Sequence, residues 1–169
     1  MFERCSRGPR RRPLGLLTGQ RARGVTLVEL AVVMAIVAVI AAVAVPMYSG
    51  YVERADIATA IGDIKRLEVQ IERFRTDNGR LPNSLAELGV SVPTDPWGNL
   101  YQYLKLTELA PGDKDKRRKD KSLVPVNSDY DLYSAGPDGD SKAPFTAKAS
   151  RDDIVRCGNG GFVGIADDY

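Results

Sequence analysis

Two sets of oxygen-bearing side chains are placed where they could do chemistry. Glu29 stands alone at the head of an apolar run, since residues 30–52 carry no charge. A carboxylate entering a membrane costs a few kcal/mol unless a cation meets it, so its default reading is functional. The second set lies near the C-terminus: Asp138, Asp140, Ser150, Asp152 and Asp153. A hard cation such as calcium takes roughly six to eight oxygens from carboxylates, carbonyls and water, which such a loop can supply. The EF-hand spacing is absent, and a solvated acidic loop is the competing reading. The chain has no histidine, and its two cysteines are Cys5 and Cys157. Without the commonest general base, or any nucleophile paired with one, the sequence reads as a non-enzyme, with Cys157 an inert thiol.

The elements that position these groups are segregated along the chain. Residues 1–24 hold seven arginines against the single acid Glu3, so the remainder carries 17 basic and 21 acidic residues. A chain that loses this leader is mildly acidic, which argues against nucleic acid as a partner. It also loses Cys5, so no disulfide is expected. Residues 30–52 form an apolar stretch of 23 residues, about 35 Å as a helix and enough to cross a bilayer core of ~30 Å. The basic flank precedes it, which keeps the leader cytoplasmic and sends the rest of the chain outward. Such a pattern suits a secretory signal cut near Ala42-Val43-Ala44, a plain one-span anchor, or a leader cut before the apolar segment. The first two leave Glu29 without a role.

Beyond Pro46 the pattern becomes amphipathic. Ile57, Ile61, Ile64, Leu67, Ile71 and Phe74 share one helical face, with Lys65, Arg66, Glu68 and Glu72 on the others. Asn78-Gly79 followed by Pro82 ends the helix. Ser84-Leu85-Ala86-Glu87 reads as a capping box opening a short helix to about Gly89. Trp97 sits in a turn rich in proline and glycine, where a core-anchoring role is expected. Residues 100–106 and 130–134 read as strands. Between them, residues 113–121 (DKDKRRKDK) mix six basic and three acidic residues and read as a solvated loop, with a contact to an anionic surface as the alternative.

The segment Gly24-Val25-Thr26-Leu27-Val28-Glu29-Leu30 resembles the cleavage motif of type IV prepilins. The resemblance implies cutting between Gly24 and Val25 by a prepilin peptidase and methylation of the new amine at Val25. It makes Glu29 the fifth mature residue, pairing with the amine of a neighbouring subunit, and puts Pro46 where the family carries a helix-kinking proline. Downstream, Asp95-Pro96-Trp97-Gly98-Asn99 with Tyr101 and Tyr103, and Tyr130-Asp131-Leu132-Tyr133-Ser134-Ala135-Gly136-Pro137-Asp138-Gly139 followed by Asp152-Asp153-Ile154, resemble the major pseudopilins of type II secretion. The implied fold is α+β and type IV pilin-like, a long N-terminal transmembrane and stalk helix packed on a small antiparallel sheet. The implied organisation is a leader over residues 1–24, a helix over 25–78 (transmembrane 25–48, amphipathic 50–78) and a globular domain over 79–169.

What this resemblance implies is a filament subunit held in the inner membrane with its C-terminal domain periplasmic. Its partners would be copies of itself, the peptidase, minor pseudopilins and an inner-membrane assembly platform. A surface pilin for adhesion, motility or DNA uptake is the alternative within the class. A membrane-anchored calcium-binding module that never polymerises is the alternative outside it. The resemblance also implies a calcium site in the C-terminal loop, with Asp138 and Asp153 as side-chain ligands and Asp152, Ser150 and the carbonyl of Ala135 as further candidates.

Overall fold

In the computed structural model, which describes residues 24–109, 111–121 and 123–169, one α-helix (α1) runs over Leu27–Asn78. The leader expected over residues 1–24 lies outside the described residues except for Gly24, and Cys5 lies outside them too. By internal contacts the chain forms two units, one up to Val43 and one over Ala44–Tyr169. In the first unit every residue from 24 onward is exposed. Pro46 lies inside α1 without ending it, and the Ser49 hydroxyl donates to the Pro46 carbonyl at 3.0 Å.

In the second unit the amphipathic face of α1 does what its spacing predicts. Ala60, Ile64, Leu67 and Ile71 are buried, with Ile57 and Ile61 at the margin of the same core. The helix stops at Gly79, whose φ of +68° lets its N–H reach the Arg75 carbonyl at 2.9 Å. The short helix expected up to about Gly89 is present as a four-residue 3-10 helix, Leu85–Leu88, with Gly89 at its C-terminal end. Ser84 makes no side-chain cap. Glu87 instead accepts the backbone and side-chain N–H groups of Asn83 at 3.1 and 3.0 Å and pairs with Arg80 at 3.0 Å. The carboxylate that would have closed the box is thus engaged one residue earlier. The Asn83 backbone bond, then Arg80, hold its pKa below the ordinary 4.5.

The sheet is an antiparallel meander of β1 (Gln102–Lys105), β2 (Tyr130–Ser134), β3 (Ile154–Cys157) and β4 (Phe162–Ile165), in the spatial order β1-β2-β3-β4. Tyr103 pairs with Leu132, Tyr133 with Val155, and Arg156 with Val163. The expected α+β arrangement is therefore present, and two of its strands were not legible in the sequence. Both lie after the acidic residues of the C-terminal loop, where no strand is expected. Alternation along the strands sends Tyr130, Leu132 and Ile154 to α1. Tyr133, Val155 and Cys157 face a second, smaller core with Val126, Phe145 and Ala166. The central strands are thus covered on both faces, by α1 on one and by the long β1–β2 and β2–β3 connections on the other.

Candidate functional site

At the N-terminal end, Thr26 precedes the first turn of α1 and its Oγ1 accepts the Glu29 N–H at 3.2 Å. Sequence reasoning missed this cap, although the T-x-x-E spacing of Thr26 and Glu29 is a signal that could have found it. The cap fixes the helix start and sets Glu29 in the first turn, where the helix dipole favours an anion. Gly24 and Val25 lie just ahead of the helix, both exposed, and Glu29 itself is exposed. Among the described residues α1 is the one helix long and apolar enough to cross a membrane, and none of that apolar stretch is buried within the subunit.

In the second unit the two turn motifs clasp each other through Asp95. Its Oδ1 accepts the backbone N–H groups of Trp97 and Asn99 at 3.2 and 2.7 Å, closing the turn on itself. Its Oδ2 accepts the Ser134 hydroxyl at 2.5 Å. Asn99 then donates through Nδ2 to the Gly136 carbonyl at 3.2 Å, and the Gly136 N–H donates to Ser134 Oγ at 3.1 Å. Trp97 is half-buried against the main core, the anchoring place expected of it.

The candidate ligands of the C-terminal loop fall into different surroundings. Asp138 is exposed, and its Oδ1 accepts the Asp140 N–H at 2.9 Å within its own turn. Ser150 is wholly buried, its hydroxyl donating to the Lys142 carbonyl and accepting the Lys142 N–H, both at 2.7 Å. Asp152 is half-buried, with its carbonyl pressed against Gly136, and Ala135 is buried. Asp153 is fully buried and pairs with Arg118 through its Oδ2, which also accepts the Ser141 hydroxyl at 2.6 Å. Burial raises the Asp153 carboxyl above its ordinary 3.8, while the Ser141 hydroxyl and the Arg118 charge pull it back.

Arg118 corrects the reading of residues 113–121 as a solvated loop. Its backbone N–H donates to buried Asp131 at 2.8 Å, and its side chain is buried over the Tyr133 ring at 4.1 Å from the centroid. Nothing in a run of mixed charges marks one arginine of six basic residues as the buried one.

Tested against a divalent ion, the predicted set does not fit as placed. Asp138 and Asp153 share no partner. Among the described residues no three acidic, histidine or cysteine side chains converge closely enough to hold a metal.

Comparison with known proteins places the chain in a lineage. The family model described as the prokaryotic N-terminal methylation motif matches residues 19–45. The type II secretion system core protein G of Dickeya chrysanthemi is 33% identical over 141 residues, covering 71% of this chain and 80% of that protein. Its counterpart in Pseudomonas aeruginosa is 31% identical, covering 69% of this chain and 84% of that protein. The Escherichia coli K12 counterpart is 31% identical over 82% of this chain and 92% of its own length. No solved structure gives a significant match. With the methylation motif at the head of α1 and this identity sustained over more than two thirds of its length, the chain belongs to the type II secretion system core protein G family.

Proposed function

We propose that this chain is the major structural subunit of the pseudopilus of a type II secretion system. It waits in the inner membrane with residues 79–169 on the periplasmic side, is cut after Gly24 by a prepilin peptidase, and is methylated at Val25. Subunits then stack through α1 into a filament that helps move folded proteins outward, built with minor pseudopilins on an inner-membrane assembly platform. The observation that carries this reading is the bare apolar surface of residues 24–49 with one carboxylate at its head. Such a surface needs lipid before assembly and neighbouring helices after it. Glu29 and a free amine at Val25 of the next subunit are each costly alone in hydrocarbon and compatible only when docked, which gives the stack its register. The chain's role is that of a scaffold, and family membership favours secretion over a surface pilus.

The test begins with the intact mass and N-terminal sequence of the protein from native membranes. A start at Val25 with one added methyl group is the expected result. A start near Val45 would instead indicate an ordinary secreted domain and end the filament reading. Glu29→Ala should then leave processed subunits in the membrane with no filaments and no secretion. Wild-type levels of secretion in that variant would remove the role given to the carboxylate.

A further inference from the structure

We propose that Arg118 is a built-in cation: its guanidinium fills an oxygen cage in the C-terminal domain, so that residues 136–153 close without calcium. Three oxygens of different kinds converge on it. Nη1 donates to Ser141 Oγ at 2.6 Å and to the Lys142 carbonyl at 2.7 Å, and Nη2 donates to Asp153 Oδ2. A hydroxyl, a carbonyl and a carboxylate are the donor types a hard cation recruits. Here they belong to the connection in which the family resemblance implies a calcium ion.

The walls of the cage suit a guanidinium. The Arg118 side chain lies over the rings of Tyr133 and Phe145, 4.1 and 5.0 Å from their centroids. A weakly hydrated, planar cation gains from aromatic faces, whereas a divalent ion wants oxygens on every side. Among the described residues, the two buried side-chain atoms without a hydrogen-bond partner are Arg118 Nε and Asp153 Oδ1. They are the two atoms that a bidentate arginine–carboxylate fork would join, beside the Nη2–Oδ2 bond already made.

The backbone next to Arg118 is held through Lys119. The Lys119 N–H donates to the Ala143 carbonyl at 3.1 Å, and the Phe145 N–H donates to the Lys119 carbonyl at 3.0 Å. The charged connection therefore runs alongside the segment it closes, and the arginine reaches across from it. Because a guanidinium stays charged at any physiological pH, this closure is permanent where a bound ion's would depend on its supply.

The experiment uses the full chain in detergent, following thermal unfolding through the single tryptophan, Trp97. The wild type should melt at the same temperature in excess EGTA and in millimolar calcium. Arg118→Ala should melt lower by on the order of 10 °C in EGTA, because it strands a buried carboxylate. Calcium should then restore part of that loss, since the emptied cage still presents its oxygens. A wild type stabilised by calcium overturns the proposal. So does a folded Arg118→Ala that ignores calcium, which would reduce the cage to an ordinary ion pair. If Arg118→Ala fails to fold in either condition, Arg118→Lys and Arg118→Met decide. Lysine keeps the charge and should melt closer to the wild type. A methionine variant equal to or better than the lysine variant overturns the reading.

Discussion

Single residues at the turns carry more of this domain than their sizes suggest. Gly136 has φ +66°, and a methyl group built on it would lie 2.5 Å from the Asp152 carbonyl oxygen. Two costs therefore fall on Gly136→Ala: the left-handed backbone, at roughly 1–2 kcal/mol, and an overlap with rigid main chain worth roughly 1–3 kcal/mol more. Gly79 has φ +68° with nothing near a methyl group, so Gly79→Ala meets only the first cost. Denaturant unfolding of the two variants should show Gly136→Ala as the more damaging by at least about 1 kcal/mol. Equal losses would mean that the contact between the Gly136 turn and Asp152 relaxes freely.

At the scale of elements, α1 is tied to the sheet by its amphipathic part. Over that part the helix owes its place to the Ile64, Leu67 and Ile71 stripe, packed against Tyr130, Leu132 and Ile154 of the sheet. A buried Arg156 adds a polar latch. It donates from Nε to Glu68 on the helix at 2.8 Å and from Nη2 to Asp129 beside β2 at 2.9 Å, and stacks over Tyr130. Leu67→Ala should cost about 2–5 kcal/mol in unfolding free energy, the usual range for a cavity in a closed core. Val69, two positions on and 65% exposed, faces away from this core. Val69→Ala should stay within about 0.5 kcal/mol in the isolated subunit. A matching loss at both positions would show that the stripe is not what docks helix to sheet.

Over the whole molecule, pH acts most clearly on the alkaline side. Burial pushes the Cys157 thiol from 9.0 up to about 12 and the Tyr101, Tyr103 and Tyr130 hydroxyls above their ordinary 10.0, with Asp63 adding to the effect at Tyr101. Each group is neutral when protonated, and in the unfolded chain each ionises at its ordinary value. Their combined contribution to stability is therefore complete below the unfolded values and is lost as pH rises toward the folded ones. The thermal midpoint should decline once pH passes the unfolded thiol value of 9.0, with the Cys157 part of the loss running on to about 12. Cys157→Ala should lower the plateau but make that decline shallower, as thermal melts across the range would read. A decline as steep as the wild type's would assign the loss to the tyrosines alone. Cys157 should also resist alkylation until the protein is unfolded.

What the sequence determined by itself was everything encoded locally or by period. A charge-free run long enough for a bilayer, one carboxylate at its head and a helical stripe each depend on neighbours a few residues apart, and short-range rules read them directly. The turn motifs were legible as turns, because glycine and proline constrain backbone wherever they occur. Tertiary structure decided the rest. Asp95 becomes a hub only because Ser134 is brought to it, and Arg118 leaves its charge run only because Asp153 is folded against it. β3 and β4 show no alternation that the sequence could signal, since β3 is buried at all four positions and β4 is half-buried at three of its four. In each case the deciding partner lies far off in the chain. The energy of pairing a buried charge or polar group belongs to the fold that assembles the pair, and neither residue's own sequence neighbourhood records it.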